Sequence, residues 1–134
     1  MEQEQPLERV VKRIWRAFDR QGLEAMLSLV PPDVQWEPIA GAGAVLNGRD
    51  ELRAFWAETT RAGRSSSARA YRYQQVGTCV LVTGSLRESD PTGLRDTQPT
   101  WVYFFDGEQL RRAVGYRTRA DALAAVQAHC GAAA

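Results

Sequence analysis

Glu37 stands directly before Pro38 in the run Val34-Gln-Trp-Glu-Pro38, an acid at the end of a short apolar stretch. A carboxylate held there against aromatic side chains loses hydration. That disfavours its charged form and moves it toward the range in which it takes or gives a proton. Abstracting a proton beside a carbonyl also needs donors for the developing oxyanion. The chain offers the hydroxyls of Tyr71, Tyr73, Thr83, Tyr103 and Tyr116 and the indole N–H groups of Trp15 and Trp101. Arg112 alternates with Leu110, Val114 and Tyr116, so it is expected on their face. There it can bind a ligand carboxylate or pair with Glu37. Alternation from Val34 puts Trp36 and Glu37 on opposite faces, so only one points inward unless the strand bends at Pro38. The plainer readings are an exposed strand-end carboxylate for Glu37 and a cross-strand surface pair for Arg112.

Other chemistries find less support. The single histidine, His129, sits beside Cys130 with no other His/Cys cluster, so no metal site is expected. Gly41-Ala-Gly43 lacks the third glycine in register and a following βαβ unit, which excludes a dinucleotide loop. Arg61, Arg64, Arg69 and Arg72, with Tyr71 and Tyr73 between them, are the right residues for stacking on RNA. However, 17 basic residues face 16 acidic ones, and a net charge of +1 gives no field for nucleic acid or an anionic membrane. Cys79 and Cys130 do not make a disulfide framework and are expected to be free thiols in a reducing cytoplasm. The N-terminus, Met-Glu-Gln-Glu-Gln-Pro, is acidic and polar, unlike a signal peptide, and no apolar run reaches the length of a membrane span.

The elements that must position these residues follow from periodicity. Leu7, Val10, Val11, Ile14 and Phe18 recur at helical spacing, with Trp15 beside the stripe and Glu8 and Lys12 as an i,i+4 pair on the wet side. A second helix follows Gly22, carrying Leu23, Met26, Leu27 and Val30 until Pro31-Pro32 stops it. Residues 33–38 read as a short strand and 39–46 as a loop. Asn47, with Asp50 three residues on, is expected to cap a third helix that carries Leu52, Phe55, Trp56 and Thr59 inward. The period then changes. Residues 68–76, 79–88, 97–105 and 110–116 read as strands, with a turn at 89–93 and a hairpin at Asp106-Gly107. Thr83, Ser85 and Arg87 form a polar face opposite Val80, Val82 and Leu86. A last helix starts near Arg119, with Ala120, Leu123 and Val126 inward, and frays toward the C-terminal alanines. Helices, then an antiparallel meander, then a helix is an α+β order, and 134 residues suit one domain spanning 1–134.

That order resembles the nuclear transport factor 2-like superfamily, and within it the SnoaL-like proteins related to ketosteroid isomerase. The residues that carry the resemblance are Val34-Gln-Trp-Glu-Pro38, 48–56, 104–110 and 116–122. It implies an α+β cone: a curved antiparallel sheet wrapped around N-terminal helices, with an apolar pocket at the open end. It also implies dimers and, in different branches, isomerases, cyclases, dehydratases and binding proteins, with no cofactor. Ketosteroid isomerases hold a catalytic Asp before a Pro at the end of the first strand, where this chain has Glu37 and Pro38. Their helical tyrosine corresponds to Ile14 or Trp15, and their neutral Asp to Gln98 or Thr100 with Asp96 nearby, so the isomerase set is incomplete. The Asp-Arg-Asp set of the limonene epoxide hydrolases is not evident.

The expected ligand is a small apolar molecule, held by Trp15, Phe18, Trp36, Trp56, Trp101, Tyr103, Arg112 and Tyr116. The alternatives are an enzyme with Glu37 as general base and a dimeric interaction module with a vestigial pocket. Because Trp101-Val-Tyr-Phe-Phe105 is apolar on both faces, a homodimer through the outer sheet face is expected.

Overall fold

A computed structural model describes residues 5–131, the side chain of Cys130 excepted. The helical stripe read at the N-terminus becomes α1 (Pro6–Gln21), with Pro6 in its first turn and Leu7, Val11 and Ile14 buried. Glu8 does not simply face water beside Lys12. Its carboxylate accepts from the Gln5 N–H at 3.2 Å and from the Gln75 N–H at 2.8 Å, while the Gln75 side-chain oxygen accepts from the Leu7 N–H at 3.0 Å. Orphan donors at the helix start are thereby tied to a strand. Next come α2 (Leu23–Leu27), β1 (Gln35–Glu37), β2 (Leu46–Asn47) and α3 (Arg49–Arg61). Gly48, not Asn47, is the N-cap of α3; Asn47 lies in β2, where its N–H donates to Glu51 at 2.8 Å.

The remaining strands are β3 (Ser65–Val76), β4 (Cys79–Asp90), β5 (Gly93–Thr97), β6 (Thr100–Asp106) and β7 (Gln109–Tyr116). The sheet runs in the order β2-β1-β7-β6-β4-β3, and β5 pairs with the far half of β4. All pairings are antiparallel except β1 with β7. The expected strand over 97–105 is therefore two strands, because Pro99 interrupts the ladder between them. The expected 89–93 turn tightens, since β4 continues to Asp90. The sheet is curved and unclosed. One source of its bend is visible where the β3–β4 register shifts between Ala70 and Arg72. Opposite that shift Gly84 has no room for a side chain: a Cβ there would lie 1.9 Å from the Arg69 carbonyl oxygen.

Helices α1, α2 and α3 contribute Val11, Ile14, Leu27 and Leu52 to the concave side, where they meet Val80, Val82, Tyr103 and Phe105. The convex side of β6 is also covered. There α4 (Arg119–Val126) lays Ala122 and Val126 over Leu81, Val102, Phe104 and Val114. The inward set of α4 is thus Ala122 and Val126, and Leu123 is exposed. Its cap is Thr118, whose hydroxyl accepts from the Asp121 N–H. Because α4 covers that convex patch, the apolar face of β6 is not left for a second subunit. Cys79 beneath it is fully buried and disulfide-bonded, which corrects the expectation of a free thiol. The argument for a reducing compartment that rested on that thiol falls with it. The thiol of Cys130 and the fraying of 132–134 lie outside the described residues. No described helix is long and apolar enough to cross a membrane.

Candidate functional site

Between the concave face and α1 and α3 lies a cavity of about 750 Å³. Its aromatic wall comes from elements distant in sequence: Trp15 and Phe18 from α1, Trp36 from β1, Phe55 and Trp56 from α3, and Trp101 and Tyr103 from β6. The rings brace one another edge to face. Trp15 meets Trp101 with centroids 4.9 Å apart, Phe18 meets Trp56 at 5.5 Å, and Trp36 meets Tyr103 at 6.1 Å. The mouth is more polar, formed by Arg64, Ser65 and Ser66 of the α3–β3 junction and by the β4–β5 arm from Leu86 to Arg95.

Several polar groups on this surface are already engaged within the protein. The hydroxyls of Thr59 and Thr60 donate to the Phe55 and Trp56 carbonyls of their own helix. Asp90 accepts from the Thr92 hydroxyl and from the Thr92 and Gly93 N–H groups. These bonds, led by the Thr92 hydroxyl, hold its carboxyl below the usual range. Deeper in, the Tyr103 phenol is almost wholly buried, at 3% exposure, and burial pushes its ionisation well up. The Trp15 indole opposes that rise in part, and its own nitrogen is buried without a hydrogen-bond partner.

Six of the residues expected around a ligand stand on this wall: Trp15, Phe18, Trp36, Trp56, Trp101 and Tyr103. Glu37, Arg112 and Tyr116 do not. Trp36 pairs with Ala113 on the concave side, so its neighbour Glu37 points to the convex side, where its carboxylate accepts from the Gly41 N–H at 3.1 Å. On β7 the register against β6 slips between Phe104 and Phe105, which leaves Arg111 as the extra residue. Leu110 therefore packs inward with Phe105, and Arg112, Val114 and Tyr116 turn outward. The Arg112 guanidinium lies over the Phe104 ring, 4.4 Å from its centre, with Nε buried and unpartnered. Burial raises the Tyr116 phenol, while Arg112 opposes and Glu37 adds to that shift. These three residues form their own convex cluster rather than part of the cavity.

Sequence reasoning missed the contribution of the β4–β5 arm. Leu94, 68% exposed on β5 and paired with Ser89 of β4, lines the cavity mouth. The signal was an isolated leucine in a polar hairpin, which alone does not tell a cavity rim from open surface.

The family model of the SnoaL-like domain matches residues 11–113. No curated protein sequence matches the chain. Solved structures do. A nuclear transport factor 2-like protein of unknown function from Burkholderia pseudomallei superimposes with a TM-score of 0.72 at 19% identity, covering 90% of this chain and 97% of its own. TerC, co-crystallised with polyporic acid, gives 0.68 at 17% identity over 92% and 99%. A hypothetical protein from Catenulispora acidiphila with a ketosteroid isomerase-like fold, in complex with trimethylamine, gives 0.66 at 15% identity over 86% and 89%. At these identities the likeness is one of fold.

Proposed function

The chain belongs to the SnoaL-like domain family, and on that premise we propose that it binds a small, largely apolar, ring-containing molecule under α1 and α3. One observation carries the reading: seven aromatic residues from four elements surround a cavity of about 750 Å³. That volume lies within the range of small-molecule pockets, and edge-to-face rings leave flat faces for a ligand to stack on. The complexes of TerC with polyporic acid and of the Catenulispora protein with trimethylamine support a ligand-holding use of the same fold. The test is ligand-observed nuclear magnetic resonance with fluorene. Saturation transfer to its ring protons, with an affinity lowered about tenfold in Trp56→Ala, is the expected result. No transfer from fluorene or other tricyclic hydrocarbons removes this reading.

An isomerase, cyclase or dehydratase with Glu37 as base has less support, since Glu37 is not on the cavity wall. As quaternary state we propose a homodimer, but not through β6. The half of the convex face beyond α4 carries Ser85 and Arg87, with Tyr71 63% exposed and its hydroxyl 2.8 Å from that of Ser85. Sedimentation equilibrium tests it: a dimer mass that Tyr71→Glu converts to monomer supports this face. A monomer in the parent protein excludes it.

A further inference from the structure

We infer that the outward face of α1 is a docking surface for an acidic helix of a partner protein, held by Arg13, Arg16 and Arg20. This use of α1 is independent of what the cavity holds.

The row follows from helical period. At about 3.6 residues per turn, Arg13, Arg16 and Arg20 fall within roughly 60° of arc, opposite the stripe of Leu7, Val11 and Ile14 that enters the core. All three are exposed, and none is on the cavity wall that Trp15 and Phe18 of the same helix help to form. Arg9 continues the row one turn earlier.

The charge of this row is not answered within the described residues. Exposed arginines elsewhere are matched. Arg53 lies 2.7 Å from Glu24 and 2.9 Å from Asp50, Arg61 lies 2.7 Å from Glu58, and Arg87 lies 2.8 Å from Asp96. Among the described residues Arg13, Arg16 and Arg20 make no ion pair. The acids of α1 do not neutralise them. The Glu8 carboxylate is taken up by the Gln5 and Gln75 N–H groups. Asp19 borders the row, where it and Arg16 act in opposite senses on the Tyr73 phenol. A chain whose net charge is only +1 thus concentrates one sign on a single helix face.

The spacing and surroundings decide what fits there. Successive arginines of the row rise by about 4.5–6 Å along the axis. Carboxylates on one face of a second helix repeat at the same rise, and a guanidinium takes a carboxylate in bidentate geometry. Single-stranded nucleic acid needs rings beside the cations for its bases to stack on, and the aromatic residues of α1, Trp15 and Phe18, belong to the cavity. A duplex or an anionic membrane presents charge far beyond this row, and the rest of the molecule has no excess charge to meet it. A second copy of this chain is a poor match as well. The acids of α3 are engaged, Asp50 by Arg53, Glu58 by Arg61 and Glu51 by the Asn47 N–H.

The probe is an alanine- and glutamine-based helical peptide of about 18 residues, with a glutamate on each turn of one face. Its control has the same composition with the glutamates spread around the helix. Glutamates one turn apart repel, so the striped peptide gains nothing from helix content. Binding is followed by the amide and arginine Nε–H signals of the nitrogen-15-labelled protein. The striped peptide is expected to shift α1 signals, including those of Arg13, Arg16 and Arg20, with an affinity about fivefold or more above that of the control. The preference is expected to fade as salt rises toward about 0.15 M. The triple variant Arg13→Gln, Arg16→Gln, Arg20→Gln is expected to lose it, with an unaltered urea midpoint, because glutamine matches arginine in helix propensity. Arg61→Gln, Arg111→Gln, Arg117→Gln removes the same charge from other surfaces and is expected to keep it. Equal affinity for the two peptides, shifts centred away from α1, or a preference that survives the first triple variant overturns the inference. Tighter binding of oligothymidylate, or of phosphatidylserine vesicles, through the same three arginines also overturns it, since the partner is then not an acidic helix.

Discussion

Trp36 and Glu37 are adjacent in the chain and face opposite sides of the sheet, the indole toward the aromatic cavity and the carboxylate toward the Gly41 N–H. Three residues of β1 pair in register with Arg112, Ala113 and Val114 of β7, which fixes the orientation. A one-residue slip would exchange the two side chains. The expected consequence is a separation of effects. Trp36→Ala should weaken ligand binding by about tenfold, the loss of one stacked ring face. Glu37→Gln should leave affinity unchanged within about twofold. Isothermal titration with fluorene measures both. An activity that Glu37→Gln abolishes would show that the carboxylate reaches a substrate by another route.

Alkaline pH should destabilise the protein through its buried phenols. Burial raises the ionisation of Tyr73, Tyr103 and Tyr116 above the ordinary tyrosine value of about 10. Below that value both folded and unfolded chains hold these protons, and the neutral phenols cost nothing. As pH rises through it, the unfolded chain releases protons that the folded one retains, so stability falls. For Tyr103 the slope approaches about 1.4 kcal/mol per pH unit. Urea denaturation between about pH 8 and 11.5 should show the decline, and Tyr103→Phe should make it shallower while leaving the slope below about pH 9 unaltered.

How much of this was legible in the sequence depends on whether local pattern or pairing register fixed the outcome. The α1 stripe of Leu7, Val11 and Ile14 was readable because helical spacing is local. The polar face of Thr83, Ser85 and Arg87 opposite Val80 and Val82 was readable for the same reason, since β4 has no irregularity there. Convergence of aromatics on one interior was read from their spread over separate elements, and Trp15, Trp36, Trp56 and Trp101 line one cavity. Arg112 and Tyr116 were misplaced because the slip at Arg111 reverses the faces of β7 relative to Leu110. Nothing in Gln-Leu-Arg-Arg-Ala announces an extra residue. The covering of β6 by α4 was also hidden: Val126 was read as inward, but Ala122 is small and its role appears only once the helix is docked.

Gly84 is expected to be intolerant of any side chain. A Cβ would overlap the Arg69 carbonyl at 1.9 Å, and backbone cannot yield as a flexible side chain can. The register shift at Ala70/Arg72 that bends the sheet sits directly opposite. Gly84→Ala should cost about 2 kcal/mol or more, seen as a lower urea midpoint. If the bend relaxes instead, the midpoint holds while ligand affinity changes, because Leu86 two residues on lines the cavity.

Arg112→Met tests whether the convex cluster is separate from the ligand site. Methionine keeps an apolar stem against Phe104 and removes a guanidinium whose buried Nε has no partner. The cation–π contact contributes roughly 0.5–2 kcal/mol, while relief of the unpaired Nε offsets about 1 kcal/mol or more, so the net change in stability should be small. Fluorene affinity should stay within about twofold of the parent, since Arg112 is on the far face of β7 from the wall. Trp56→Ala should lower that affinity about tenfold with the convex face untouched. If Arg112→Met weakens binding as much as Trp56→Ala does, the ligand does not sit on the concave wall alone, and the Glu37, Arg112 and Tyr116 cluster becomes part of the binding site.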